Sequence, residues 1–184
     1  MAATPPICDF GWKAIDFSLP GIDDKTYSLG DVRGEKGTLV MFICNHCPYV
    51  MGIISRLTQE VAELQAMGIG VIAIMANDTV SYPADSFENM KLFAAKNSFT
   101  FPYVIDESQE TASAYDAICT PDFFGFNGDD ELQYRGRMDA SKTSLVEGAD
   151  RDLVNAMTLI AETGKGPSQQ IASMGCSIKW VESA

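Results

Sequence analysis

An α/β fold with a mixed sheet covered by helices on both faces is the fold class that this sequence predicts. Continuous apolar runs, such as residues 38–43 and 70–75, are typical of strands buried on both faces of a sheet. Segments with the periodicity of amphipathic helices alternate with these runs. Two later extended segments flank Asn127-Gly128, a dipeptide typical of a tight antiparallel hairpin. This alternation followed by a hairpin indicates a central mixed sheet flanked by helices.

The N-terminal third of the chain leads up to the first buried strand. Residues 1–15 contain three prolines or glycines and no sustained period, which predicts an N-terminal arm. Residues 17–29 hold two short extended stretches around a turn at 21–25, which predicts an N-terminal hairpin extension. The run at 38–43 is the first strand of the sheet, and it leads directly into Cys44.

The rest of the chain is predicted from the same signals. Apolar side chains repeat at helical spacing from Val50 to Leu64, and glycines 68 and 70 follow as stop signals, so a long helix is expected there. The further predicted elements are a strand at 71–75, a helix at 86–96 capped by Asp85 or Ser86, a strand at 104–105, a helix at 109–115 and a hairpin of 123–126 and 131–134. A last helix has Leu153, Val154, Met157 and Ile160 on one face and ends at Gly164, and an irregular C-terminal extension follows at 165–184.

Length and composition limit the classes of function. A chain of 184 residues with 46% hydrophobic and 21% charged residues is predicted to form a single domain over 1–184. The net charge of −12 would repel phosphate backbones and anionic lipids, so neither nucleic acid nor a membrane surface is an expected partner. The longest apolar runs fall far short of the roughly 20 residues that a membrane span needs. Because the N-terminus lacks a signal-peptide pattern, we expect a cytoplasmic location.

Five cysteines occur, and only Cys44 and Cys47 form a close pair. An odd number with one close pair does not match the disulfide framework of a small secreted domain, so redox or metal chemistry is indicated. The pair follows a buried strand and precedes a helix that begins near Pro48. Free N–H groups and the positive end of the helix dipole there stabilise a thiolate, which is the reactive form of cysteine.

The motif Cys44-Asn45-His46-Cys47 therefore predicts a redox-active thiol pair. His46, the only histidine, is expected to lower the pKa of a neighbouring thiol, and the two-residue spacer lets the sulfurs close a reversible disulfide. Buried structural thiols and half of a zinc site are the alternatives. Zinc usually takes four ligands, and the sequence has no second C-x-x-C and no H-x₃₋₅-H. We therefore expect neither a metal nor another cofactor.

The chain resembles the thioredoxin-like superfamily, and most closely its peroxiredoxin-like (AhpC/TSA-related) bacterial branch with a CxxC motif. The segments that carry this resemblance are Phe17-Ser-Leu19, Met41-Phe-Ile-Cys-Asn-His-Cys-Pro-Tyr-Val50, Asn77-Asp78, Tyr82-Pro83, Thr120-Pro121 and Gly175-Cys-Ser-Ile-Lys-Trp180. The resemblance covers nearly the whole chain and implies a thioredoxin-like fold. It also implies that Pro121 is cis and faces the thiols, with the Thr120 backbone presented to a bound partner.

Two departures from the superfamily pattern bear on the reaction. Thioredoxins have Trp directly before the first Cys and a buried Asp upstream, where this chain has Ile43 and Thr38. Aligned with peroxiredoxins, Cys47 takes the peroxidatic position, and Cys44 replaces the Thr that normally contacts peroxide. Arg135 and Arg137 are the candidates for the arginine of a peroxiredoxin site.

The leading hypothesis is a thiol-disulfide oxidoreductase with Cys44 as nucleophile, Cys47 as resolving thiol, and His46, Thr120 and Pro121 as further site residues. The alternatives are an antioxidant thiol peroxidase in which Cys47 attacks peroxide, and a non-catalytic thiol sensor or metal-binding module. Cys176 and Cys119 are additional redox candidates, each with a structural role as its alternative. The expected partners are protein or small-molecule disulfides, peroxides in the peroxidase alternative, and a reducing partner such as a thioredoxin or glutathione system.

Overall fold

A five-stranded sheet forms the centre of the computed structural model, which describes residues 2–6 and 8–181. The strands assigned within these residues are β1 (Ala2–Ala3), β2 (Ser18–Pro20), β3 (Thr26–Ser28), β4 (Thr38–Phe42), β5 (Gly70–Met75), β6 (Tyr103–Ile105), β7 (Cys119–Thr120), β8 (Asp122–Phe126), β9 (Leu132–Arg135) and β10 (Gly175–Ser177). The helices are α1 (Leu29–Val32), α2 (Pro48–Met51), α3 (Ile54–Ala66), α4 (Phe87–Lys96), α5 (Glu110–Ala114) and α6 (Asp152–Thr163), and a 3₁₀ turn at Pro83–Asp85 precedes α4.

The central sheet has the strand order β6-β5-β4-β8-β9. Its middle strand, β4, pairs in parallel with β5 and antiparallel with β8, so the sheet is mixed. All five residues of β4 are buried, which explains why its sequence is a continuous apolar run and not an alternating one. The predicted mixed sheet is therefore confirmed, and so is the antiparallel hairpin of β8 and β9.

Helices cover both faces of the sheet, and β4 divides the core between them. Leu39 and Met41 join a cluster with residues of α3, α4 and α6, whereas Val40 and Phe42 join a second cluster with residues of α1 and α5. This division follows from the alternation of side chains along a strand. The predicted N-terminal hairpin is also present, as β2 paired antiparallel with β3.

The prediction of one long helix from Val50 to Leu64 is wrong in one respect, because the structure divides this segment into α2 and α3. Gly52 lies at the division, and a Cβ atom there would be 2.5 Å from the Thr143 carbonyl carbon. Only a glycine allows the 142–143 backbone to pass so close. The apolar periodicity continues through both helices, so the sequence pattern does not reveal the break.

The C-terminal extension was predicted to be irregular, and this too requires correction. It contains β10, which lies between β1 and β7 in a second, three-stranded antiparallel sheet. A strand of three residues has no recognisable period, so only its pairing partners reveal it. Among the described residues, no helix combines the length and apolar character that a bilayer span requires.

Candidate active site

The Cys44–Cys47 segment connects the C-terminal end of β4 to α2. Cys47 is the N-cap residue of α2, and Pro48 occupies the first turn, where its missing N–H costs no hydrogen bond. Both cysteines are free thiols, with exposures of 1% for Cys44 and 0% for Cys47. The predicted position at a strand end and helix start is therefore observed, but in this reduced state neither sulfur is open to solvent.

Thr120 and Pro121 face the thiol pair across the site. The peptide bond between them is cis, as the superfamily resemblance implied. The Cys47 thiol donates to the Thr120 carbonyl oxygen at 3.0 Å, and the Cys44 Sγ lies 3.3 Å from the Thr120 Oγ1. One residue of the Pro121 loop thus contacts both sulfurs.

The two thiols differ in how readily they ionise. The pKa of Cys47 is lowered because the Cys44 thiol donates a hydrogen bond to it; burial opposes this effect, and the side chain and backbone N–H of Cys176 add to it. The pKa of Cys44 is raised because it gives that hydrogen bond, because it is buried, and because the Asp85 carboxylate is near. The Thr120 carbonyl oxygen can only accept a hydrogen bond, so it stabilises the Cys47 thiol over the thiolate. The donors from Cys44 and Cys176 have the larger effect, and the pKa of Cys47 is lowered. The arrangement thus favours Cys47 over Cys44 as the thiolate, contrary to the assignment made from the sequence.

Asp85 is a site residue that the sequence interpretation missed. It was considered as a cap of α4, but Ser86 caps that helix by accepting from the Asn89 N–H. The Asp85 side chain is fully buried and accepts from the Asn45 backbone N–H at 2.8 Å and from the Asn77 Nδ2 at 2.8 Å. A buried carboxylate with two such donors holds the Cys44–Cys47 loop against the 3₁₀ turn.

His46 is directed toward this carboxylate. Its Nδ1 lies 2.7 Å from the Asp85 Oδ2, and its ring stacks on Tyr82 with a centroid distance of 5.8 Å and an interplanar angle of 7°. The influences that chiefly lower the pKa of Cys47 come from Cys44 and Cys176, not from the imidazole that the sequence suggested for this role.

Cys44, His46 and Asp85 also place one sulfur, one nitrogen and one oxygen atom within 4.8 Å of one another. Such a set can hold a divalent cation such as zinc. Zinc motifs made only of Cys and His at fixed spacings do not reveal this cluster, because its third member, Asp85, is a carboxylate far from the thiol pair in the sequence.

The two remaining cysteine candidates, Cys176 and Cys119, differ in their position relative to the thiol pair. Cys176 lies opposite Thr120 in the pairing of β10 with β7, and burial and a hydrogen bond to Cys47 raise its pKa to about 11. Cys119 is buried and donates to the Pro121 carbonyl oxygen at 3.4 Å, and burial raises its pKa. The structure therefore brings Cys176 to the thiol pair and places Cys119 behind the Pro121 loop.

Neither arginine candidate is placed as a peroxide ligand. The Arg135 Nη2 pairs with Asp122 at 3.0 Å, and its guanidinium lies over Phe124, on the face of the sheet opposite to the thiols. The Arg137 Nε pairs with Asp152 at 2.7 Å. Both side chains are engaged in ion pairs, which the sequence could not reveal because the partner carboxylates are not neighbours of the arginines in the chain.

Solved structures similar to this chain support the same fold. An uncharacterized conserved protein from Geobacillus kaustophilus is 38% identical with a TM-score of 0.94, over 100% of this chain and 98% of that chain. A hypothetical protein from Sinorhizobium meliloti 1021 is 32% identical with a TM-score of 0.91, over 98% of each chain. The thioredoxin domain of a thiol-disulfide oxidoreductase from Bacteroides vulgatus is 14% identical with a TM-score of 0.64, over 85% of this chain and 99% of that chain. The last similarity shows that the fold is thioredoxin-like, as predicted.

Among curated protein sequences, none matches this chain significantly. The profile of the AhpC/TSA family matches residues 10–137. That range contains Cys44, Cys47, Asp85 and the Thr120-Pro121 loop, and it ends before β10. The chain therefore belongs to the AhpC/TSA family, and this membership, together with its paired thiols, supports a thiol redox function.

Proposed function

We propose that this protein is a thiol-disulfide oxidoreductase that works through Cys44 and Cys47. The observation that carries the proposal is the asymmetry of the pair: the Cys47 thiolate is stabilised by several donors, and one of these donors is the Cys44 thiol itself. Such a pair supplies an attacking sulfur and a resolving sulfur in contact with each other.

The reaction follows from this arrangement. The Cys47 thiolate attacks one sulfur of a substrate disulfide, forming a mixed disulfide and releasing the other sulfur as a thiolate. Cys44 then loses its proton and attacks the Cys47 Sγ, forming the Cys44–Cys47 disulfide and releasing the second substrate thiol. Two electrons pass from the protein to the substrate. Because both sulfurs are buried, the site must open to admit the substrate.

The proposed substrates are protein or small-molecule disulfides, and the proposed reductant is a thioredoxin or glutathione system of the cytoplasm. A small neutral disulfide, bis(2-hydroxyethyl) disulfide, tests the chemistry without a partner protein. We expect one equivalent to be reduced per reduced chain. Cys47→Ser should abolish the reaction, whereas Cys44→Ser should keep the first attack. Cys119→Ser, which changes a buried thiol outside the pair, is the matched control and should react as the wild type does. Loss of the first attack in Cys44→Ser with full retention in Cys47→Ser would reverse the assignment of the nucleophile.

A thiol peroxidase is the second candidate, favoured by the AhpC/TSA family match and by the lowered pKa of Cys47. Against it, the Thr position is occupied by Cys44, a poor donor, and Arg135 and Arg137 are engaged in ion pairs. Loss of one donor that stabilises a developing charge typically costs about 10²–10³ in rate. Peroxide consumption measured beside disulfide reduction ranks the two activities, and we expect disulfide reduction to be faster.

A metal-binding module is the third candidate, favoured by the cluster of Cys44, His46 and Asp85. Zinc content of protein purified without chelator tests it. About one zinc per chain, lost in Asp85→Asn, would support the binding module over the oxidoreductase.

A further inference from the structure

Strand β10 holds Cys176 at the thiol pair. In the antiparallel pairing of β10 with β7, Cys176 lies directly opposite Thr120. Thr120 is the residue that contacts both sulfurs of the pair, through its carbonyl oxygen and its hydroxyl. The two thiols of the motif and a third thiol from a distant part of the sequence therefore meet around one residue.

Gly175 makes this close pairing feasible. A Cβ atom on Gly175 would lie 2.1 Å from the Thr120 carbonyl oxygen and 2.5 Å from the Thr120 carbonyl carbon. Any larger residue would push β10 away from β7 and carry Cys176 with it. The Thr120 backbone, which the sequence analysis expected to be presented to a bound partner, is thus paired with the chain's own C-terminal segment.

Exposure separates Cys176 from the other two thiols. Cys44 and Cys47 are almost completely buried, whereas Cys176 is partly exposed. Of the three thiols, Cys176 is therefore the one that an external thiol can approach most readily.

We propose that Cys176 is a third redox thiol, which forms a disulfide with Cys47 and is the sulfur at which an external thiol reduces that disulfide. This inference rests on the proposed function, because it uses the same attack of Cys47 on a substrate disulfide. It assigns to β10 the role of an internal resolving segment.

The steps balance without a further oxidant. After Cys47 has formed a mixed disulfide with the substrate, the Cys176 thiol loses its proton and attacks the Cys47 Sγ. The Cys47–Cys176 bond forms, and the substrate leaves as a thiolate that takes up a proton. In the reductive half, an external thiolate attacks the Cys176 Sγ, and Cys47 leaves as a thiolate. A second external thiolate then attacks the external sulfur of that mixed disulfide, so Cys176 is released and the two external thiols leave as a disulfide.

The electrostatics of the cluster agree with this order. Burial and the neighbouring Cys47 together raise the pKa of Cys176, so Cys176 gains reactivity once Cys47 is neutral in a mixed disulfide. In the reductive half, a thiol with a low pKa leaves faster, which favours departure of Cys47 over departure of Cys176.

The Cys44→Ser variant isolates the proposed disulfide. After reaction with bis(2-hydroxyethyl) disulfide, acid quenching, alkylation of free thiols and peptide mass spectrometry, we expect the Cys47–Cys176 crosslink as the main product. Gly175→Ala in the same background should slow its formation at least tenfold. Gly30→Ala is the matched control, because a Cβ atom there meets only the Ser28 Oγ at an ordinary 3.6 Å. Circular dichroism spectra of both glycine variants check that they fold.

A persistent mixed disulfide on Cys47, with Cys176 recovered as an alkylated free thiol, would overturn the proposal. Limiting 2-mercaptoethanol added to the crosslinked variant should give a mixed disulfide on Cys176, and one found mainly on Cys47 would overturn the assignment of the reduction site. The wild type separates the two proposals. If it never forms the Cys44–Cys47 disulfide but Cys44→Ser forms the Cys47–Cys176 crosslink, the proposed function fails and this inference stands.

Discussion

Asp85→Asn changes the charge beside Cys44 while preserving the shape of the side chain. The Asp85 oxygen and the Cys44 sulfur lie within 4.8 Å of each other. Two unit charges at about 4.8 Å repel by about 3.5 kcal/mol at an effective dielectric constant of about 20, which is equivalent to a change of about 2.5 in pKa. Since the nucleophilicity of a thiolate falls as its pKa falls, only about half of this gain appears in the rate. We expect Cys44 to resolve a mixed disulfide on Cys47 about 20-fold faster.

The assay is rapid mixing of reduced protein with 5,5′-dithiobis(2-nitrobenzoate) in a Cys176→Ser background, so that only Cys44 can resolve. Release of the first chromophore reports the attack by Cys47, and release of the second reports the attack by Cys44. Asp85→Asn should accelerate the second phase and leave the first nearly unchanged. Asp106→Asn is the matched control, because Asp106 is also buried but accepts from Ser108 and Ala112. A slower second phase would refute the reasoning and show that Asp85 acts mainly by holding the Cys44–Cys47 loop in place through the Asn45 N–H.

The structure supports three further predictions. First, Asp85→Asn should lower the free energy of unfolding by about 1.5–3 kcal/mol in urea, because one of the two N–H donors to this side chain then faces an amide N–H and not a carboxylate oxygen. Second, the rate of Cys47 alkylation by iodoacetamide should titrate below the free-thiol pKa of about 8.5, and Cys176→Ala should raise that midpoint because it removes a side-chain donor. Because the folded-state pKa of Cys47 is lowered, the stability that the thiolate contributes is present above the unfolded-state pKa and is lost as pH falls through the folded-state pKa. Between these two pKa values, the stability of the reduced wild type relative to Cys47→Ser should therefore increase with pH. Third, Asp122→Ala removes the buried carboxylate that pairs with Arg135 and leaves only the exposed Asp116 carboxylate, at 3.8 Å. It should reduce the free energy of unfolding by about 3–5 kcal/mol, with no change in the alkylation midpoint of Cys47.

Much of the fold could be predicted from local patterns in the chain. The continuous apolar run of β4 marks a central strand because a strand covered on both faces has no polar side. The hairpin of β8 and β9 was indicated by Asn127-Gly128, although the connection between the strands is five residues long and its left-handed residue is Asp130. The position of Cys47 at a helix N-cap follows from its place between that strand and Pro48. These features depend on residues that are neighbours in sequence, so the sequence itself carries the signal.

The sequence by itself therefore determined the α/β architecture and the thiol pair, and its resemblance to the thioredoxin-like superfamily implied the Thr120-Pro121 loop opposite that pair. The tertiary structure alone decided which sulfur ionises first, because the pKa of a buried thiol depends on donors and charges that other segments bring to it. The tertiary structure also places Asp85 beside His46 and Cys176 beside Cys47. On the opposite face of the sheet, it pairs Arg135 with Asp122. No local pattern encodes these contacts, since each joins residues that only the folding of the sheet and the pairing of β10 place together.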